Sequence, residues 1–192
     1  MSVFRLLSLC VVGSLAVVCR ADDAVDLKVG DDAPKFEVMD DQGRPWKSSE
    51  HFGKKIVVVY FYPADMTGGC TAQACGYRDN LGKLADQDVE VVGVSGDSVE
   101  NHRLFKIAHD LTFTLLADEQ GEVAKKFGVP VTEGEKTVKA TIAGIERLLK
   151  RNVTTKRWTF VIDREGKIAY KDDSVQAKAD PEKILVAVQA IR

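Results

Sequence analysis

Cysteine is scarce in this chain, with four residues among 192, too few to build a fold of this size on disulfides. Histidine is scarcer, with three residues. His102 and His109 fall on one helical face, but no cysteine or carboxylate cluster joins them or His51, so surface or packing roles are expected and no metal site is. A basic excess is missing as well: 27 Lys and Arg stand against 29 Asp and Glu, which argues against a nucleic-acid binder. The only long apolar stretch, Leu7 to Val18, is shorter than the roughly 20 residues of a membrane-spanning helix. Internal repeats, low-complexity tracts and linkers are absent. What is present is a hydrophobic fraction of 45%, enough to build a core and to exclude disorder as the main state. The length suits one domain, or one domain with an appendage.

The appendage is read at the N-terminus. Arg5 precedes an apolar run from Leu6 to Val18, Cys19-Arg20-Ala21 ends it, and Asp22 and Asp23 follow. This is the pattern of a secretory signal peptide over residues 1–21, with a folded domain over 22–192 and an exported, periplasmic or otherwise extracytoplasmic location expected. Its removal takes two arginines and no acid, leaving 25 basic against 29 acidic residues. Cys10 and Cys19 go with it, and Cys70 and Cys75 remain. A bond between residues so close closes almost no loop, so a redox pair is a better reading than a structural staple.

Along the rest of the chain, Phe36–Met39 and Pro45–Lys47 read as short strands about an Asp-Gln-Gly turn. Ile56–Tyr62 is a continuous β-branched and aromatic run, the signature of a buried central strand. A helix from Cys70 to Asp86 follows, with Thr67 as its candidate N-cap. Val89–Ser95 is a second buried strand. Ser98–Asp110 is a helix with Ser98 as its cap, Phe113–Ala117 a strand and Gly121–Phe127 a short helix. The segment Val131–Thr155 admits a loop, a ragged hairpin or a short helix around 142–150, and Arg147–Arg151 reads as a solvated face. Trp158–Ile162 and Ile168–Lys171 form a hairpin, and Pro181 opens the last helix. Alternating β and α units call for an α/β fold. The expected architecture is thioredoxin-like, with a central mostly parallel sheet, a C-terminal antiparallel hairpin and helices on both faces.

The chemistry concentrates at Cys70. A buried strand ends, Pro63 stops it, and a cysteine sits where a helix begins. The free N–H groups and dipole of a helix N-terminus favour an anion, and a thiolate is the nucleophilic form of cysteine. Thr67 stands three residues before the sulfur, close enough to donate to it or to a substrate oxygen, and Gly68 and Gly69 let the backbone approach closely. Cys75 adds a constraint. Residues five apart on an ideal helix have Cα atoms ~8.7 Å apart, beyond the ~7 Å limit for a disulfide. If the two cysteines pair, the first turns of the helix must unwind.

The segment Tyr62–Asp79, YPADMTGGCTAQACGYRD, resembles the peroxiredoxin Q, or bacterioferritin comigratory protein, group of peroxiredoxins, which carries Tyr-Pro-x3-Thr-Pro-Gly-Cys-Thr-x-Glu-x-Cys. Pro63, Thr67, Gly69, Cys70, Thr71 and Cys75 match, Tyr77-Arg78-Asp79 resembles the aromatic-Arg-Asp that follows, and Arg157–Asp163 resembles the group's Arg-x-Thr-Phe-x-Ile-Asp strand. The resemblance covers nearly all of residues 22–192. It implies reduction of hydrogen peroxide and organic hydroperoxides without a cofactor. Cys70 would be the peroxidatic cysteine and Cys75 the resolving one. Their disulfide would be re-reduced by a thioredoxin-like protein. Thr67 and Arg157 would polarise the peroxide, Pro63 would shield the site, and the chain would be a monomer. A cation at position 157 has an independent rationale, since it favours a nearby thiolate. Two departures stand out: Gly68 replaces the group's Pro, and Gln73 replaces its Glu. Val131–Lys156 is also longer than the group leads one to expect. Two other readings fit less well. A thiol–disulfide oxidoreductase would carry C-x-x-C at the helix start. A copper carrier of the same fold would need a late histidine, and none follows His109.

Overall fold

The computed structural model describes residues 25–191, so the expected leader of residues 1–21 lies outside them. Strand β1 (Glu37–Met39) and β2 (Pro45–Lys47) pair antiparallel. They precede β3 (Ile56–Phe61), in which every residue is buried. The order then runs α1 (Gly68–Ala85), β4 (Val89–Ser95), α2 (Val99–His109), β5 (Thr114–Ala117) and α3 (Glu122–Lys126). It continues through β6 (Val131–Ile142), β7 (Ile145–Thr155), β8 (Trp158–Ile162), β9 (Ile168–Asp172) and α4 (Asp180–Gln189).

Five strands form the central sheet in the order β5-β4-β3-β8-β9. The β3–β4 and β4–β5 pairs are parallel, and β8 and β9 add the expected antiparallel hairpin beside β3. Alternation along β3 splits the core in two. Ile56, Val58 and Tyr60 pack with residues of α1, α2 and α4, among them Leu84, Phe105 and Ile184. Val57, Val59 and Phe61 face the other way, toward Val123 and Ala124 of α3, Phe127, Phe36 and Trp46 of β2. Helices therefore lie on both faces, and the β1–β2 pair helps α3 cover the second. Each large side chain sealed in this way contributes about 1.5–3 kcal/mol. The site then emerges where α/β sheets place it, at the carboxyl ends of the parallel strands.

The segment 131–155 is neither a loop nor a helix but a long antiparallel hairpin. Its valines, isoleucines and threonines suit a pleated surface. Ala143 (φ 49°) and Gly144 (φ 80°) supply the two left-handed residues of a tight turn between Ile142 and Ile145. The expectation that Arg147–Arg151 is a solvated face is corrected in part. From Leu149 onward β7 alternates, and Leu149 (0% exposed) and Arg151 (9% exposed) turn inward while Lys150 stays in solvent. A charge-dense run on a strand can hide every second residue.

Candidate active site

The loop between β3 and α1 is fixed from beneath. The Tyr62 N–H donates to the Val94 carbonyl (3.1 Å), and the Tyr62 carbonyl accepts from Thr155 Oγ1 (2.9 Å). The Tyr62 hydroxyl donates to Asp65 Oδ1 (2.8 Å), and His102 Nδ1 meets Asp65 Oδ2 (2.8 Å). The Asp65 N–H donates to Asp97 Oδ2 (2.9 Å). Asp65 and His102 are wholly buried, a position that carboxylates and imidazoles occupy only when paired. Burial alone would lower the basicity of His102. The Asp65 carboxylate, its hydrogen bond and the Asp97 charge outweigh burial and leave it above the ordinary histidine value. Met66 is held at φ 60°, a conformation a non-glycine residue adopts only under constraint.

Thr67 takes the N-cap position in the extended conformation (φ −93°, ψ 145°), but its side chain makes no cap bond. Its hydroxyl instead donates to the Ala64 carbonyl (3.1 Å). The expected capping role is thus corrected: the nearest acceptor lies within the turn, and the hydroxyl closes the turn rather than the helix. Pro63 is half-buried between the buried Tyr62 and Ala64. A Cβ on Gly68 would meet nothing within 4 Å, so packing does not demand glycine there.

Cys70 lies in the first turn of α1, 1% exposed, and Cys75 is half-buried later in the same unbroken helix. Both thiols are free. Arg157, between β7 and β8, donates from Nη2 to Cys70 Sγ at 3.1 Å. Its Nη1 donates to Gln73 Oε1. The Gln73 amide in turn donates from Nε2 to Asp180 Oδ2 (2.6 Å). The same oxygen accepts from the Tyr77 hydroxyl (2.6 Å) and from Thr159 Oγ1 (3.0 Å). Asp180 Oδ1 is buried without a partner. Burial raises the Asp180 carboxyl above its usual range, and its three donors only partly offset that. Burial and the Asp180 charge drive the Tyr77 phenol well up.

The sequence singles out Cys70, Cys75, Thr67, Pro63 and Arg157. The structure brings Arg157 onto Cys70 and Thr67 into the turn just before it. Sequence reading missed Asp180, Asp65 and His102. An Asp before a helix-opening Pro looks like an ordinary first-turn acid, and nothing local pairs it with Gln73, 107 residues away.

Residues 29–171 match the family model described as AhpC/TSA family. The chain is 39% identical over 79% of its length to the peroxiredoxin Bcp of Bacillus subtilis (strain 168), covering 88% of that protein. It is 50% identical over 53% of its length to a chloroplastic peroxiredoxin Q of Sedum lineare, of which it spans only about half (54%). The crystal structure of the peroxidoxin BcpB from Mycobacterium tuberculosis superposes with a TM-score of 0.71 at 34% identity, covering 87% of this chain and 99% of that one. These relatives overturn the expected exported location, since the close Bcp homologues are cytoplasmic. One arginine, an apolar run, Cys19-Arg20-Ala21 and two following acids are a pattern of composition and order only, and that pattern carried the expectation by itself. Sequence, fold and the cysteine-bearing helix start agree: the chain belongs to the AhpC/TSA family, within its Bcp and peroxiredoxin Q group of thiol-dependent peroxidases.

Proposed function

We propose that Cys70 is the peroxidatic cysteine and Cys75 the resolving one, in a two-cysteine cycle on hydrogen peroxide and organic hydroperoxides. The observation that carries this reading is the guanidinium of Arg157 at 3.1 Å from a sulfur seated in the first turn of a helix. A cation and a helix N-terminus both favour the thiolate. The thiolate attacks one oxygen of the peroxide, the O–O bond breaks, and the departing alkoxide or hydroxide takes a proton. Sulfur is oxidised to the sulfenic acid and the peroxide is reduced to an alcohol or water. The Cys75 thiol then attacks the sulfenic sulfur, forming the disulfide and expelling water. A thioredoxin-like dithiol reduces that disulfide by exchange and is itself oxidised.

Thr67 stands at the mouth of this turn with its oxygen lone pairs available, and Pro63 shields the sulfur from bulk water. Arg157 holds the peroxide oxygens as well as the thiolate, since its planar fork presents several donors at once. The residues 22–192 act as one domain and as a monomer.

The test is peroxide consumption coupled to a thioredoxin system. Cys70→Ser is expected to abolish turnover. Arg157→Ala is expected to lower the second-order rate constant by about a hundredfold, the scale for losing one preorganised donor at a reacting atom. Near wild-type activity in Cys70→Ser would sink the assignment.

A further inference from the structure

We propose that Asp180, at the start of α4, is the positioning residue that aims Arg157 at Cys70, acting through the Gln73 amide. The inference rests on the reading of Cys70 as the reacting sulfur and adds to it a residue on a distant element.

Gln73 is a bridge with two unlike ends. Its carbonyl accepts from Arg157 Nη1 and its amide donates to Asp180 Oδ2 (2.6 Å). An amide side chain can turn end for end, so something must choose between the two orientations. An ionised carboxylate only accepts hydrogen bonds. Asp180 therefore draws the NH₂ end of Gln73 toward itself and presents the oxygen end to Arg157. With Nη1 committed to that oxygen, the rigid guanidinium fork directs Nη2 at the sulfur, where it lies at 3.1 Å. Gln73 and Asp180 are both wholly buried, so no water competes for these bonds.

The carboxylate is itself held in place. Tyr77, one turn beyond Gln73 on α1, and Thr159 of β8 donate to the same Oδ2. The two helices approach closely because position 76 has no side chain: a Cβ there would lie 2.8 Å from Pro181 Cγ. Pro181 follows Asp180, so this contact seats the carboxylate over the Gln73–Tyr77 face of α1. The other titratable groups whose charges bear on Asp180 are Asp172, Tyr60 and Tyr170. None of them is hydrogen-bonded to Gln73. The resembling segment carries Glu where this chain has Gln73. In this chain the buried negative charge nearest that bridge stands at the start of α4, with the Gln73 amide as a spacer between it and Arg157.

Three influences of Asp180 are separable by the sign of one measurement. The thiolate of Cys70 absorbs in the near ultraviolet, and its titration midpoint reads how well the sulfur anion is held. If Asp180 positions Arg157, Asp180→Asn, whose amide is neutral and presents a donor as readily as an acceptor to Gln73, loosens the hold on the guanidinium and raises that midpoint. If Asp180 acts only as a nearby negative charge, its removal lowers the midpoint. If it only packs the helices, melting shifts and the midpoint stays. The expected result for Asp180→Asn is a raised midpoint with a second-order rate constant toward hydrogen peroxide reduced about tenfold. In the double variant Gln73→Glu/Asp180→Asn the carboxylate returns to α1, facing Arg157 directly, and the amide introduced on α4 donates to it. That variant is expected to recover both the midpoint and the rate to within about threefold of wild type. A lowered or unchanged midpoint in Asp180→Asn overturns the inference. If that single variant does not fold, a folded double variant that stays tenfold slow overturns it as well. A wild-type protein whose peroxide consumption survives Cys70→Ser would instead overturn the reading of Cys70 itself.

Discussion

Gly68→Pro isolates the unwinding that a Cys70–Cys75 disulfide requires. Gly68 is the first residue of α1 and is not among the residues with positive φ. The first helical position is where Pro is best tolerated, because its N–H has no intrahelical partner to lose. The residue before a Pro must be extended, and Thr67 already is, at φ −93° and ψ 145°. A side chain at 68 would meet nothing within 4 Å. The native state therefore accepts the ring without strain, and the substitution acts on the opened segment by removing its conformational freedom. That is worth about 0.4–1 kcal/mol at compatible sites. If the first turns must open before sulfur meets sulfur, the open population falls by about two- to fivefold at RT ≈ 0.59 kcal/mol. Disulfide formation slows by the same factor, while the first attack on peroxide is unchanged.

The assay is a rapid mix with peroxide, quenched by alkylation at intervals and read by mass spectrometry, so that sulfenate and disulfide are counted separately. Gly82→Ala serves as the control. It lies in the exposed interior of α1, clear of neighbours, and replacing a helical Gly by Ala stabilises by roughly 1 kcal/mol without touching residues 68–75. It should raise the denaturation midpoint and leave the disulfide rate alone. With the resolving step held back, the sulfenate of Gly68→Pro should also be driven further, to sulfinate, at high peroxide. A Gly68→Pro protein that is more stable yet closes its disulfide at the wild-type rate would refute the unwinding step.

Two further perturbations probe the supports of the site. Gly76→Ala places a methyl 2.8 Å from Pro181 Cγ and should destabilise by about 1–3 kcal/mol in urea unfolding, as overpacking does; a neutral effect would mean that α1 and α4 yield freely. His102→Gln leaves the buried Asp65 carboxylate without its cation and should cost about 3–5 kcal/mol. Because the folded state raises His102 above its unfolded value of 6.5, its stabilisation is complete below that pH and fades as pH climbs through the higher folded value. The unfolding midpoint of wild type should therefore fall as pH rises above 6.5 and through the higher folded value, and the variant should lose that slope.

How far the sequence carries the reader depends on the range of the interactions that decide each feature. Strand β3 is legible because burial on both faces selects an unbroken β-branched run, and α2 is legible because Ser98 Oγ caps it by accepting from the Asn101 N–H (3.3 Å). Cys70 stands out because strand end, threonine and helix start are contiguous. The β6–β7 hairpin was obscured by its own charges, which pair across the strands in solvent, as Lys139 with Glu146 and Lys150 with Glu135 do, and blur the period-two signal. Asp65–His102 and Gln73–Asp180 left no trace in the sequence. Each joins residues far apart in the chain, and neither alters the local period of the helix or turn that carries it.

Those hidden pairs also bear on how one helix can be rigid and yet open. In the proposed cycle Cys70 reacts best while Arg157 is fixed on it, and Arg157 is fixed through Gln73, which belongs to the segment that a Cys70–Cys75 disulfide would unwind. The two demands are met in sequence rather than together. Before reaction the proposed thiolate meets the Arg157 guanidinium directly and the Asp180 carboxylate meets it through the Gln73 amide, and the bonds at 3.1 Å and 2.6 Å hold the first turns of α1 shut from both ends. Attack on the peroxide converts the thiolate to a neutral sulfenic acid, so one of the two anions vanishes. Charge-assisted hydrogen bonds are roughly twice as strong as neutral ones, and the sulfur end of the chain weakens at the moment chemistry is complete. The remaining bonds of Gln73 are each worth only about 1 kcal/mol net, within reach of local opening. On this account the lock on α1 is released by the reaction it serves, and the C-terminal half of the helix stays packed through Tyr77 and Leu84 while Cys75 comes up to meet the oxidised sulfur.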